Sequence, residues 1–144
     1  MSRILIAEDE ARISSFVEKG LVAAGFATTV VENGLDAVEL VLAGSCDLLV
    51  LDIGLPGIDG YEVMRRLRAA GASLPVIVLT ARTSAEDTLA SLEGGANDYM
   101  PKPFRFDELL ARIRLRLADA TKGVTATLSV AGLELDLRTR RALV

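Results

Sequence analysis

The chain has no histidine, which removes the side chain most used for proton transfer near neutral pH and the commonest metal ligand. Tryptophan is also missing, and with only four Phe and two Tyr the core must be aliphatic. The single cysteine, Cys46, cannot form an internal disulfide, which suits a reducing compartment and sets the expectation of a cytoplasmic protein. No apolar run is long enough to span a bilayer, and the opening MSRILIAEDE lacks the features of a secretory signal, so no membrane role is expected. Any metal must be bound by oxygen, which leaves Mg²⁺, Mn²⁺ or Ca²⁺.

Charge is present but unevenly spread. Residues 1–120 carry 12 Lys/Arg against 18 Asp/Glu, a net of −6, whereas residues 121–144 carry 4 against 2, a net of +2. An acidic body is a poor nucleic-acid surface, because phosphate contacts need local positive charge. At 144 residues the length fits one domain of ordinary size, with room for a fragment of another.

Strand and helix patterns alternate five times. Arg3–Ala7 (RILIA) is a short apolar strand, followed by a helix over residues 11–24 with Ile13, Phe16, Val17 and Leu21 as its buried stripe. Phe26–Val31 is the second strand, and Asn33-Gly34 turns the chain into a helix burying Ala37, Val38, Leu40 and Val41. Leu48–Leu51 is a continuous aliphatic run, as expected of a strand covered on both faces. After the loop Ile53–Gly60, a third helix turns Val63, Met64 and Leu67 inward and Arg65, Arg66 and Arg68 toward water. Pro75–Thr80 and Asn97–Met100 are the fourth and fifth strands, separated by a weaker helix over Ser84–Glu93. A strongly amphipathic helix over 106–118 completes the set.

Strands spaced by helices imply βαβ units, right-handed crossovers and a parallel sheet. The fold class is therefore α/β: a (βα)₅ doubly wound, five-stranded sheet of the flavodoxin-like type, order 2-1-3-4-5. Residues 119–126 (DATKGVTA) read as a linker, and 127–144 as a β-hairpin pattern opening a further domain.

In such a sheet four strand ends meet at one edge: Glu8-Asp9, Asp52, Thr80 and Lys102. Crowded carboxylates repel unless one is protonated or a cation binds, and Mg²⁺ suits a few carboxylates with a phosphate oxygen. Asp52 is the candidate nucleophile toward a phosphoryl donor, with Lys102 and Thr80 placed to meet the charge of the transferred group. Each residue also has a plainer reading. Glu8-Asp9-Glu10 could serve the N-terminus of the next helix, Thr80 could be a helix cap, and Lys102 could be ordinary surface. A cis Lys102–Pro103 bond would aim the ammonium inward. Coincidence at one sheet edge favours the functional reading.

The motifs AEDE, LVLDIGLPGIDGYEV, VIVLTAR and GGANDYMPKPF closely resemble the receiver domain of bacterial two-component response regulators, over residues 3 to about 118. LSVAGLELDLRTRRALV is similar to the first strands of the winged-helix DNA-binding domain in the OmpR/PhoB-like subfamily. The resemblance implies a receiver over 1–118 in which Asp52 accepts a phosphoryl group from a sensor histidine kinase. It implies Mg²⁺ (or Mn²⁺) on Glu8, Asp9, Asp52 and the Gly54 carbonyl, with Lys102 on the phosphoryl group. Thr80 and Tyr99 would be the switch pair. Homodimerisation on phosphorylation would use the fourth helix, fifth strand and fifth helix, where Asp98, Glu108 and Arg112 fit an ionic face. Thr88 and Asn97 stand where a base and an acid are usual, which removes possible salt bridges. DNA would be bound only through effector residues beyond this chain.

Three other classes compete. A metal-dependent phosphatase or other hydrolase would need a water-excluding lid and an Asp-x-Asp pair at one strand end, and neither is present. A flavin carrier would need amide donors where Glu8-Asp9-Glu10 stands. A receiver-like module acting by contact alone would have no use for the Asp52, Thr80 and Lys102 set.

Overall fold

The computed structural model of the chain describes residues 2–80 and 95–130, with side chains as far as residue 120. Its elements are β1 (Arg3–Ala7), α1 (Ala11–Ala23), β2 (Ala27–Val31), α2 (Gly34–Leu42), β3 (Leu48–Asp52), α3 (Gly60–Ala69), β4 (Val76–Thr80), β5 (Asp98–Pro101) and α4 (Phe106–Val130). All strand pairs are parallel and the order is β2-β1-β3-β4-β5, as the alternating pattern implied.

Successive strand residues point to opposite faces, and the two cores follow that alternation. Ile4, Ile6, Leu48, Val50, Ile77, Leu79 and Met100 pack with Val17 and Leu21 of α1 and Leu109 and Ile113 of α4. Leu5, Ala7, Leu49, Leu51, Val76 and Val78 pack with Ala37 and Val41 of α2 and Val63, Met64 and Leu67 of α3. Every residue of β3 and β4 is buried, consistent with helices on both sides of a parallel sheet. Each fully buried aliphatic side chain contributes about 1.5–3 kcal/mol, so this two-sided core is the main source of stability.

Three expectations need correction. Phe16 is not buried: it is 50% exposed, while Ser14 takes the inward place beside Val17 and Leu21. Residue 16 lies one step, about 100°, off the 14–17–21 row, and the Ser14 hydroxyl is satisfied by donating to the Ala11 carbonyl (3.3 Å).

Arg68 does not face water. Its guanidinium donates to the carbonyls of Ala72 (2.9 Å), Leu74 (3.0 Å) and Gly95 (2.6 Å), tying α3 to the starts of β4 and β5. Arg65 and Arg66 do reach solvent, both pairing with Glu62.

The last helix runs on to Val130, through residues 119–126 where a linker is expected and into the start of the expected hairpin. That stretch contains no proline, and Asp119, Ala120, Lys122 and Ala126 are tolerated in a helix, with Gly123 costing only about 1 kcal/mol. The helix expected over Ser84–Glu93, the Thr88 position and the hairpin from residue 131 onward lie outside the described residues.

Arg68→Ala leaves three carbonyls without their donor and should lower the unfolding free energy by about 2 kcal/mol, with Arg68→Lys failing to restore it. Urea denaturation checks this; a loss below about 0.5 kcal/mol would mean water replaces the guanidinium without penalty.

Candidate functional site

β1 and β3 are neighbours, and Ala7 registers with Leu51, so the next residues, Glu8 and Asp52, come side by side at the carboxyl edge. The Glu8 amide donates to the Val31 carbonyl (3.0 Å), which extends β1 one step and fixes the Glu8 backbone. Glu8 is only 1% exposed and Asp52 7%, whereas Asp9 is open to solvent. One carboxylate oxygen from each of the three lies within 4.8 Å of the others.

The loop after Asp52 is shaped from below. A side chain at Gly60 would come within 2.8 Å of the Ile53 Cα and 3.0 Å of the Asp52 carbonyl oxygen, so only glycine lets the chain close here. Asp59 then opens α3, its side chain accepting from the Glu62 amide (3.0 Å). Above, the Gly54 amide donates to Asp52 Oδ1 (3.3 Å), orienting that carboxylate, and the space over Gly54 is open.

β5 delivers the cation. Pro101 registers with Thr80, and the Lys102 amide donates to the Thr80 carbonyl (2.7 Å); the Lys102–Pro103 peptide is cis. Lys102 Nζ lies 3.0 Å from Glu8 Oε1, 3.4 Å from Asp52 Oδ1 and 3.5 Å from Glu10 Oε1. Glu10 stands at the N-cap position of α1, yet its side chain makes no capping bond and instead approaches Lys102.

Burial pushes the Glu8 carboxyl up to about 7, against the pull of Lys102 and the Glu10 amide and with the Asp52 charge adding to the rise. Burial alone would draw the Lys102 ammonium down, but Glu8 and Asp52 together outweigh it and hold the group above the ordinary lysine value. Glu8 Oε2 accepts from the Glu10 amide (3.2 Å). Glu8 Oε1 is buried and receives no aligned hydrogen bond, its approach to Lys102 being one of charge rather than direction. Three clustered carboxylates, one with such an oxygen, fit a hard divalent cation that takes few carboxylates and keeps waters.

Thr80 closes β4 and is buried at 2% exposure. Strand alternation puts it on the α2–α3 face together with Val76 and Val78, the face on which Tyr99 packs. Thr80 and Tyr99 thus share one side of the sheet, while Glu8, Asp52 and Lys102 continue the rows of the other.

The remaining expected residues form a network within the chain. Asp98 accepts from Arg112 (2.7 Å) and from Arg116 (2.7 Å), and Arg112 also holds Glu108 (2.9 Å). Sequence reading missed Arg116, although Glu108, Arg112 and Arg116 recur every fourth residue and so share a helix face. Asn97 makes no ion pair, but its side-chain oxygen accepts from the Val76 amide (2.9 Å) and fastens β5 to β4.

The Glu8 shift has a sign. Between 4.5 and about 7 the folded chain keeps a proton that the unfolded chain has released, so this stabilising contribution is complete below 4.5 and disappears as pH rises through about 7. Without divalent cation, unfolding free energy should fall across that window by on the order of 1–3 kcal/mol through Glu8, and Glu8→Gln should flatten the slope. Denaturation at several pH values in chelator checks this; identical slopes in both proteins would contradict it.

Comparison with known proteins bears on the same residues. Residues 4–114 match the response regulator receiver domain family. The transcriptional regulatory protein CusR of Escherichia coli (strain K12) is 41% identical over 140 residues, which is 96% of this chain but 62% of that protein. The Francisella response regulator 1452 receiver domain superposes with a TM-score of 0.80 at 32% identity, covering 83% of this chain and 99% of that one. The receiver domain of sensor histidine kinase PA1611 from Pseudomonas aeruginosa PAO1, which has a magnesium ion coordinated in its active site cleft, superposes at 0.75 with 33% identity, covering 81% and 98%. On its sequence, its sheet order and its site, the chain belongs to the receiver domain family of two-component response regulators.

Proposed function

We propose that Asp52 is the phosphoacceptor of a signalling switch, and that the donor is a phosphohistidine on a sensor histidine kinase. The observation that carries this is Lys102 Nζ held 3.4 Å from Asp52 Oδ1 inside a group of three carboxylates. A carboxylate oxygen of Asp52 attacks phosphorus, an O–P bond forms, and the donor's P–N bond breaks. The leaving imidazole departs with the electron pair and takes a proton from solvent. The ammonium of Lys102 compensates charge on the transferred group, which is spread over three oxygens. The chain is thus a switch that promotes only its own phosphoryl transfer and loss, not an enzyme acting on other substrates.

Glu8, Asp9, Asp52 and the Gly54 carbonyl would hold Mg²⁺, with Mn²⁺ as the alternative. When bound, the ion relieves carboxylate repulsion and neutralises phosphoryl oxygen charge. Magnesium in the PA1611 receiver supports this choice of metal.

Phosphorylation adds charge and acceptor oxygens at the sheet edge. The Thr80 hydroxyl then moves to donate to the phosphoryl group, and Tyr99 turns inward on the same face. The altered surface comprises β5 and α4, and through it two receivers pair. Asp98, Arg112 and Glu108 contribute to that interface, joined by Arg116. The receiver occupies residues 1–118, and the continuation of α4 through 119–130 joins it to an effector segment beyond. Because CusR is a transcriptional regulator of which this chain spans 62%, transcription control and DNA contact belong to the longer protein. Among the described residues no helix is long and apolar enough to cross a membrane, and a cytoplasmic site of action fits.

Intact mass after incubation with acetyl phosphate should show one Mg²⁺-dependent phosphoryl adduct on the wild type and none on Asp52→Asn. A full-stoichiometry adduct on Asp52→Asn would refute the assignment. Lys102→Ala should still bind Mg²⁺ and accept phosphoryl slowly, yet no longer dimerise in response; undiminished dimerisation by light scattering would show that Lys102 has another role.

A further inference from the structure

α1 carries a glycine, Gly20, one turn before its end, where alanine would favour the helix by about 1 kcal/mol. The reason lies across the helix interface. A side-chain carbon built on Gly20 would sit 2.5 Å from Cε1 and 2.8 Å from Cε2 of Phe106, closer than such atoms approach. The Phe106 ring therefore occupies the place of the missing side chain. A side chain at Gly20 would have to displace this ring, which Phe16 meets edge-on (centroids 5.9 Å, 79°) and which packs against the core. Phe104 also meets the Phe16 ring, tilted at 52° (centroids 6.5 Å).

These rings sit two and four residues after Lys102. Upstream, the Lys102 amide is tied to the Thr80 carbonyl (2.7 Å). The Lys102–Phe106 segment is thus held at one end by the sheet and at the other by the notch in α1.

We propose that Gly20 is a positioning residue: its missing side chain seats the Phe106 ring, and that seat sets how closely Lys102 approaches Asp52 and its phosphoryl group. The proposal rests on the reading of Asp52 as phosphoacceptor. Gly20 touches no reacting group, so its effect must pass through Lys102.

The test is the rate of phosphoryl uptake from acetyl phosphate at saturating Mg²⁺, followed by intact mass on the full chain. Gly20→Ala should slow uptake roughly tenfold, since displacements of an ångström or less at a reacting group have effects of this order. Adding Phe106→Leu to Gly20→Ala should bring the rate back to within about twofold of wild type. In a Lys102→Ala background, where uptake is already slow, Gly20→Ala should slow it no further. Equal slowing in both backgrounds, or none in either, overturns the proposal. If Gly20→Ala does not fold, Phe106→Ala alone decides: it must slow the Lys102 chain and leave the Lys102→Ala chain unchanged. A folded wild type that takes up no phosphoryl group would refute the proposed function itself, and this inference with it.

Discussion

The site depends on one ammonium held among carboxylates at the edge of the sheet. Glu8 and Asp52 are both buried, and two buried carboxylates side by side are tolerable only if a cation or a proton compensates them. Lys102 supplies that charge from the far side of β4, reaching across the end of the strand that carries Thr80. The compensation is incomplete. Glu8 is still pushed up to about 7, and its Oε1 lacks an aligned donor. A site left in that condition suits a further cation.

From this arrangement the proposed switch follows in physical steps. Phosphorylated Asp52 would carry more negative charge than Asp52 itself, so it competes with Glu8 and Glu10 for Lys102. Glu8 would then stay with the metal it holds for phosphoryl uptake and no longer share the ammonium. Thr80 and Tyr99 lie on the opposite face of the sheet from the acidic rows, so a Thr80 movement is felt on the side of α3 and β5 rather than α1. The charged network of Asp98, Arg112, Arg116 and Glu108 begins on the residue next to Tyr99 and continues along α4.

Strand ends were legible from the sequence because aliphatic runs stop abruptly at charged or hydroxyl residues: RILIA before Glu8-Asp9, LLVL before Asp52, VIVL before Thr80. Once the βαβ alternation fixed strand order, those residues had to meet, and Glu8, Asp9, Asp52, Thr80 and Lys102 are all found at that edge. What the periodicity missed depends on side-chain reach or on contact between distant segments. Arg68 has an apolar stem long enough to turn from a helix face to three carbonyls, which no spacing rule reports. Phe16 lies on the border of its helix stripe, where a ring can bridge to Phe104 and Phe106 rather than enter the core. Gly20 reads as a weakness in a helix until Phe106 is placed against it. Residues 119–126 look like a linker by polarity, yet nothing in them forbids the helix from continuing.

The transfer of Lys102 from carboxylate to phosphoryl group is the central claim, and a crystal structure with Mg²⁺ and beryllofluoride tests it most directly. Beryllofluoride on a carboxylate mimics the transferred phosphoryl group without its hydrolysis. The expected result is the adduct on Asp52, Lys102 Nζ within hydrogen-bond distance of a fluoride, and Glu8 turned to the metal or its waters. A structure in which Lys102 still pairs with Glu8 while the adduct sits elsewhere would contradict it.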